Sequence, residues 1–367
     1  MYKTRQERLI NYIRNDLQVD SALILSPINI YYYTGFHSDP HERFFVLFVN
    51  AKTEKTSLFL PSLDEDAAKD LAKVDELISI TDTENGYEKF VQISGQSITS
   101  FAFEKSYVTV AQYEQFAKHY PNAQFKNIES FINSERLKKS PEEIEYVKKA
   151  VHITEKGLVN TLEKIQEGMT ELQIKAELEY QLMLLGPAGI AFETIVLSGE
   201  NSALPHGVSG NRKIQRGDFL LFDFGVTVNG YHSDLTRTFI VGEGSQEQID
   251  IYDTVCRANE LAIESVKAGE PLKVIDLAAR NYITRKHYGE YFTHRIGHGL
   301  GLEVHESPSI HKENEDKIEA GLLFTIEPGI YIPTVGGVRI EDNIYVNDDG
   351  EVEVLSSFRK ALTYISI

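Results

Sequence analysis

Apolar residues change spacing along the first third of the chain. Over 4–18, Leu9, Ile10, Ile13 and Leu17 fall on one helical face, which predicts an amphipathic helix. Short apolar runs follow: ALILS (22–26), FFVLFV (44–49), SLFLP (57–61), LISIT (77–81) and SFAFE (100–104). Each is the length of a buried strand and is bounded by polar or turn-forming residues. Polar helical segments near 64–73 and 109–119 lie between them. Strands and helices in alternation predict a sheet with helices packed on it, an α/β domain.

The spacing becomes helical again after Lys138-Lys139-Ser140-Pro141. Ser140 suits an N-cap, Pro141 the first helical position, and Glu142 and Glu143 the positive helix end. Ile144, Val147, Val151, Leu158, Leu162 and Ile165 then form one apolar stripe. Further helices are predicted over 171–185, 246–268 and 273–288, and strands dominate 190–241 and 291–366. The expectation is two domains, 1–138 and 139–367. The second is α+β, with long helices covering a curved, mostly antiparallel sheet.

Within it, Asn229-Gly230 between apolar runs is a hairpin signal. A two-residue loop pairs Val228 with Tyr231 and Gly225 with Asp234. Asp223 then lies diagonally from Asp234 on the same face, about 7–8 Å away. Phe222, Phe224 and Leu235 take the other face. Asp223 sits inside an apolar run, so solvation is a poor destination for its carboxylate.

Composition narrows the class. The 367 residues are 42% hydrophobic and 25% charged, ordinary for a globular protein of two domains. The N-terminus MYKTRQERLI has no apolar signal core, and no apolar run approaches the roughly 18 residues of a membrane span. A net charge of −18 argues against nucleic acid as a partner. Cys256 is the only cysteine, so no intrachain disulfide forms, and a cytoplasmic location is expected. Cys256 reads as a buried structural thiol in a helix.

The chemistry-bearing residues gather late in the chain. Asp223 in LFDFG, Asp234 in HSDLTRT, His298 in GHGLG, Glu327 in TIEPG and Glu341 in RIEDN are candidate metal ligands. Four carboxylates and one imidazole make a hard, oxygen-rich set suited to Mn²⁺, with Co²⁺ or Zn²⁺ as alternatives. Buried together they repel one another and take up protons unless cations balance them. Two divalent ions would do so and would activate water as a nucleophile.

These five segments together, in their order, resemble the metallopeptidases of the pita-bread fold: methionine aminopeptidase, aminopeptidase P and prolidase. The resemblance covers roughly residues 140–367. The first domain, through its strand pattern and NIYYYTGF (29–36), resembles the N-terminal domain of creatinase, prolidase and aminopeptidase P. The resemblance implies that the five residues bind two metals, with Asp234 and Glu341 bridging both. It also implies that His206, in ALPHGVSG, and His294 and His305, beside the ligand histidine, line the substrate cleft. Creatinase shares the fold without the ligands, and methionine aminopeptidase lacks an N-terminal domain of this type.

The chain holds 11 histidines, and His119, His152, His287 and His311 sit in polar contexts that predict solvated positions. Arg339 has two readings: a bidentate partner for a substrate carboxylate, or a brace for an acidic side chain of the site. The loop SDPHERFF (38–45), with Asp39, His41 and Arg43, reads either as a solvated turn or as a segment that closes a cleft, in a homodimer that of a neighbour. The expected function is metal-dependent hydrolysis of the Xaa-Pro bond in small peptides with proline second. A dipeptidase (prolidase) is favoured over an aminopeptidase P, on a chain shorter than many of the latter. Glu327 is the expected proton shuttle. A non-catalytic binding protein on the same fold is the reading from another class.

Overall fold

The computed structural model describes residues 1–366. Contacts divide the chain into two compact units, Met1–Glu135 and from Arg136 onward. In the first unit, β1 (Ser21–Ile24), β2 (Val46–Asn50), β3 (Lys55–Pro61), β4 (Glu76–Ile80), β5 (Ser100–Phe103) and β6 (Gln124–Asn127) form one sheet in the order 4-3-2-1-5-6. The strands β1/β2 and β2/β3 run antiparallel, and the outer pairings are parallel. Its core is aromatic: Phe48, Phe59, Phe90, Phe101 and Phe116 are buried together.

The helices of this unit are α1 (Tyr2–Asn11), α2 (Pro27–Thr34), α3 (Glu65–Leu71), α4 (Gly86–Ser94), α5 (Val110–His119) and α6 (Glu129–Leu137). The first is shorter than its apolar stripe predicts, because the chain widens into a π turn over Tyr12–Asp16. The helix α2 lies inside NIYYYTGF and was invisible to periodicity. Ile30, Tyr32, Tyr33 and Thr34 are all buried, so it shows no polar face. Pro27 opens it, Gly35 at φ 75° closes it, and buried Glu104 accepts from Leu25 N, Ser26 N and Asn29 at its start.

The second unit is built from two helix pairs on antiparallel sheets. Helix α7 (Pro141–Leu162) starts at Ser140 with both halves of a capping box, Ser140 to Glu143 and back. It packs with α8 (Glu171–Leu184) against β8 (Ile195–Ser198), β9 (Phe219–Phe224) and β12 (Leu235–Val241). The short strand β7 (Gly189–Ile190) joins the hairpin of β10 (Val226–Val228) and β11 (Tyr231–His232). Helices α9 (Gln246–Glu264) and α10 (Lys273–Arg285) form the second layer. They cover β13 (Gly297–Gly299), β14 (Glu306–Ile310), β15 (Leu323–Ile326), β16 (Gly329–Ile332), β17 (Gly336–Arg339) and β18 (Asp342–Val346). Among the described residues of this unit every named strand pairing is antiparallel except that of β12 with Tyr364–Ile365. The two-domain α+β architecture is the one the sequence predicts.

The hairpin keeps its predicted register. Asn229 and Gly230 both have positive φ, 48° and 78°, the conformation of a type I′ turn. Val228 pairs with Tyr231, and farther from the turn in the same register Asp223 lies opposite Thr236, so Asp234 is its diagonal neighbour. Phe222, Phe224 and Leu235 are buried on the other face.

Candidate metal centre

Five strands bring side chains to the floor of a cleft of about 850 Å³. Asp223 comes from β9, Asp234 from the turn into β12, His298 from β13, and Glu327 and Glu341 from the junctions after β15 and β17. All five line this one cleft, together with His206, His294, His305 and Arg339. Asp234, His298 and Glu341 are buried, and one donor atom from each lies within 4.8 Å of the others. His298 Nε2 is 3.7 Å from Asp234 Oδ2 and 3.3 Å from Glu327 Oε1.

Local structure explains the placement. Gly297 and Gly299 flank His298, and a Cβ on either would lie 1.9 Å from Thr325 O or 2.0 Å from Ser307 O. Only glycine lets the neighbouring strands close on the histidine this tightly. His298 Nδ1 lies 3.1 Å from Gly299 O and can only donate to it, so Nε2 faces the carboxylates. Protonated, Nε2 pairs with Glu327; deprotonated, it offers a lone pair to a cation. The Asn343 amide engages both backbone groups of Asp234, and Thr236 Oγ1 donates to Glu341 Oε2 at 2.7 Å.

The electrostatics are those of a cation site. Burial first, then Glu341 and Asp223, push Asp234 well above the ordinary carboxyl value. Burial, then Glu327 and Asp223, does the same to Glu341. Burial also raises Asp223, against the pull of Arg339. Burial works against ionisation of Glu327 too, but its hydrogen bond and charge interaction with His298 hold it down to about 2. Carboxylates this close stay ionised together only with added positive charge. A hard donor set of four carboxylates and one imidazole fits a divalent ion such as Mn²⁺.

The flanking residues differ in freedom. Arg339 is buried: it donates to Asp223 Oδ2, to Thr236 Oγ1 at 3.0 Å and to Tyr331 OH at 2.9 Å. That geometry is the brace of its two readings. His294 Nδ1 donates to Arg295 O at 2.7 Å, so Nε2 accepts from Tyr331 OH at 2.9 Å, and both ring nitrogens are engaged. His305 is exposed to the cleft and packs against His298 with the rings tilted, centres 4.0 Å apart. Partial burial, then His298, lowers it to about 4, so it is neutral near pH 7. His206 is exposed on the loop over Leu204–Gly207.

The sequence reading missed Tyr331 and Thr236, which orient His294, Arg339 and Glu341. Thr236 follows Asp234 by two residues on the same strand face, a signal available in SDLTRT; Tyr331, between two isoleucines in GIYI, has no such signal. Of the loop candidates, Asp39 and His41 form a local turn, His41 N donating to Asp39 Oδ1 at 3.1 Å. Arg43 pairs with Asp82 at 2.8 Å inside the first unit.

Comparison with known proteins agrees with this chemistry. Residues 145–348 match metallopeptidase family M24, and residues 5–138 match the creatinase/prolidase N-terminal domain. An uncharacterised peptidase from Staphylococcus aureus is 39% identical over 357 residues, 97% of this chain and 100% of its own. An Xaa-Pro dipeptidase from Bacillus anthracis has a closely similar structure, with TM-score 0.91 and 32% identity over 99% of both chains. An X-Pro aminopeptidase from Thermotoga maritima gives 0.88 and 32%, covering 98% of this chain and 100% of that one. With a buried acidic and imidazole cluster in a matching catalytic domain, this chain belongs to metallopeptidase family M24.

Proposed function

We propose that the protein hydrolyses the Xaa-Pro bond of dipeptides, as a prolidase using two divalent ions per subunit, Mn²⁺ first and Co²⁺ or Zn²⁺ as alternatives. The observation that carries this reading is the Asp234, His298 and Glu341 cluster at the floor of a cleft edged by histidines. In this reading Asp223, Asp234, His298, Glu327 and Glu341 would hold the ions. Bound there, the ions supply carbonyl polarisation and an activated water.

The chain's own residues do the rest. In this reading Glu327 takes a proton during attack and returns it. Proline nitrogen in a peptide carries no N–H, so it must gain a proton to leave. His305 and His206 are exposed in the cleft and have ring nitrogens free to donate to the scissile carbonyl as negative charge develops. His294, with both nitrogens engaged, orients the site through Tyr331. Arg339 keeps Asp223 in place. Asp39, His41 and Arg43 are substrate-loop candidates; the exposed Arg43–Asp82 pair is solvent-screened and easily exchanged. A homodimer and a cytoplasmic location belong to the same reading, the second supported by the single cysteine.

The second reading is an aminopeptidase P acting on longer peptides, supported by the Thermotoga maritima likeness at the same identity as the dipeptidase. One experiment separates them. Metal-reconstituted protein is given an Xaa-Pro dipeptide and an Xaa-Pro tripeptide. Faster turnover of the dipeptide is expected; preference for the tripeptide moves the assignment to aminopeptidase P. Tight metal binding with no turnover of either leaves the non-catalytic binding protein.

A further inference from the structure

Asn259 is fully buried on α9, on a face otherwise made of Ile251, Val255, Ala258 and Ala262. It does not line the cleft. An amide in such surroundings costs stability unless its hydrogen bonds are met. They are: Nδ2 donates to Ile326 O at 3.1 Å and to Ile340 O at 3.3 Å, and Oδ1 accepts from Lys360 Nζ at 2.9 Å.

The two carbonyls belong to the residues immediately before Glu327 and Glu341. Those glutamates fall between two ladders: β15/β18 ends at the Ile326–Asp342 pair, and β16/β17 ends at the Gly329–Arg339 pair. Within this gap one long backbone bond remains, Ile340 N to Pro328 O at 3.4 Å, while Glu327 N donates to Ile296 O at 2.8 Å and Glu341 N to Thr236 O at 3.1 Å. The Asn259 amide ties the two segments together a second time, at the carbonyls just before the glutamates.

Lys360 extends the grip. Its Nζ lies 3.1 Å from Asp342 Oδ2, and Asp342 Oδ1 accepts from Arg237 Nη2 at 2.7 Å. Arg237 also donates to Glu341 O at 2.5 Å and to Phe358 O at 2.8 Å. The main chain around Glu341 is thus held on both flanks by groups outside the cleft.

We infer that Asn259 and Lys360 are positioning residues for the metal centre. By fixing the backbone before Glu327 and Glu341 they set the spacing of those carboxylates, and so the affinity for the ions, while touching neither ion nor substrate. The inference rests on the metallopeptidase reading of the cleft.

The test uses metal-free full-length protein titrated with Co²⁺, followed by its visible absorption and by bound stoichiometry. Asn259→Leu keeps the size and removes the amide. Lys360→Met keeps the stem and removes the ammonium. Each is expected to weaken Co²⁺ binding roughly 10–100-fold, with Lys360→Arg restoring most of it. Metal-free Lys360→Met should still unfold cooperatively, with some loss of stability because Asn259 Oδ1 loses a partner. The sign is diagnostic. Losing Lys360 adds one negative charge to a chain already at −18, which through long-range attraction alone would tighten cation binding. Lys360→Met that binds Co²⁺ as tightly as wild type, or tighter, overturns the inference whatever Asn259→Leu does. If Asn259→Leu fails to fold, Lys360→Met alone decides. Wild-type protein that binds no Co²⁺ overturns the metal centre itself, a separate outcome.

Discussion

Asp234 and Glu341 carry the most direct test at the scale of single residues. Asp234→Asn and Glu341→Gln each remove one charge and keep the size. Both variants should fold and bind less metal, with activity reduced in step. Elemental analysis showing full metal in both, with near-normal turnover, would move the site elsewhere. His305 separates contact with substrate from contact with metal. His305→Ala should keep its ions while turnover falls on the order of 10²–10³-fold; loss of metal instead would make it part of the ion's support. The candidate ligands were legible because each sits in its own motif. The fate of Arg339 was not: its partner Asp223 is 116 positions away, and sequence spacing says nothing about a contact across two strands.

At the scale of elements, the parts with local signals are the ones that matched. Ser140, Thr170 and Ser245 each open a helix with a complete capping box, so α7, α8 and α9 start where the sequence placed them. Removing one such cap, Ser140→Ala, should cost about 1 kcal/mol in denaturant unfolding and leave metal binding alone. The Asn229-Gly230 turn is the second local device. Gly230 at φ 78° occupies a left-handed conformation, so Gly230→Ala should cost about 1–2 kcal/mol. Asp223 and Asp234 should still meet, because the β9/β12 ladder runs on for six pairs beyond the turn. A variant whose metal affinity falls with its stability would show that the turn sets the site. Elements without a polar face were missed. Helix α2 is buried nearly all round, and burial on every side erases the period that reveals a helix.

At the scale of the whole molecule, the buried acids link metal to stability. Asp234 and Glu341 have folded-state values raised above those of an unfolded chain, by burial and then by neighbouring carboxylates: Glu341 and Asp223 for the first, Glu327 and Asp223 for the second. For such acids the stability contribution is full below the unfolded value, near pH 4, and is lost as pH rises through the raised one. Glu327, held near 2, acts the opposite way, and only in the acid range below its ordinary value. Metal-free protein should therefore weaken as pH rises above the ordinary carboxyl value of about 4, while Mn²⁺, which needs the carboxylates deprotonated, removes the penalty. The measurement is the melting temperature with Mn²⁺ and with chelator across that range. The gap between the two curves should widen with pH; a constant gap would mean that these carboxylates do not hold the ion.

The sequence by itself determined the two-domain α+β plan, the hairpin register and the candidate ligands. Each of those rests on short-range information: a two-residue turn, a strand alternation, a cap three residues from its partner. It also pointed to the chemistry, since four carboxylates and an imidazole make a hard, oxygen-rich donor set suited to divalent cations. Tertiary structure decided which free groups face the cleft. It engaged both nitrogens of His294, committed Arg339 to Asp223, and left His305 and His206 exposed. It also placed Asn259 against the carbonyls before Glu327 and Glu341, from a helix with no ligand of its own. Such pairings arise when helix and strands pack into one core, and a buried amide must then find partners that lie far from it in sequence.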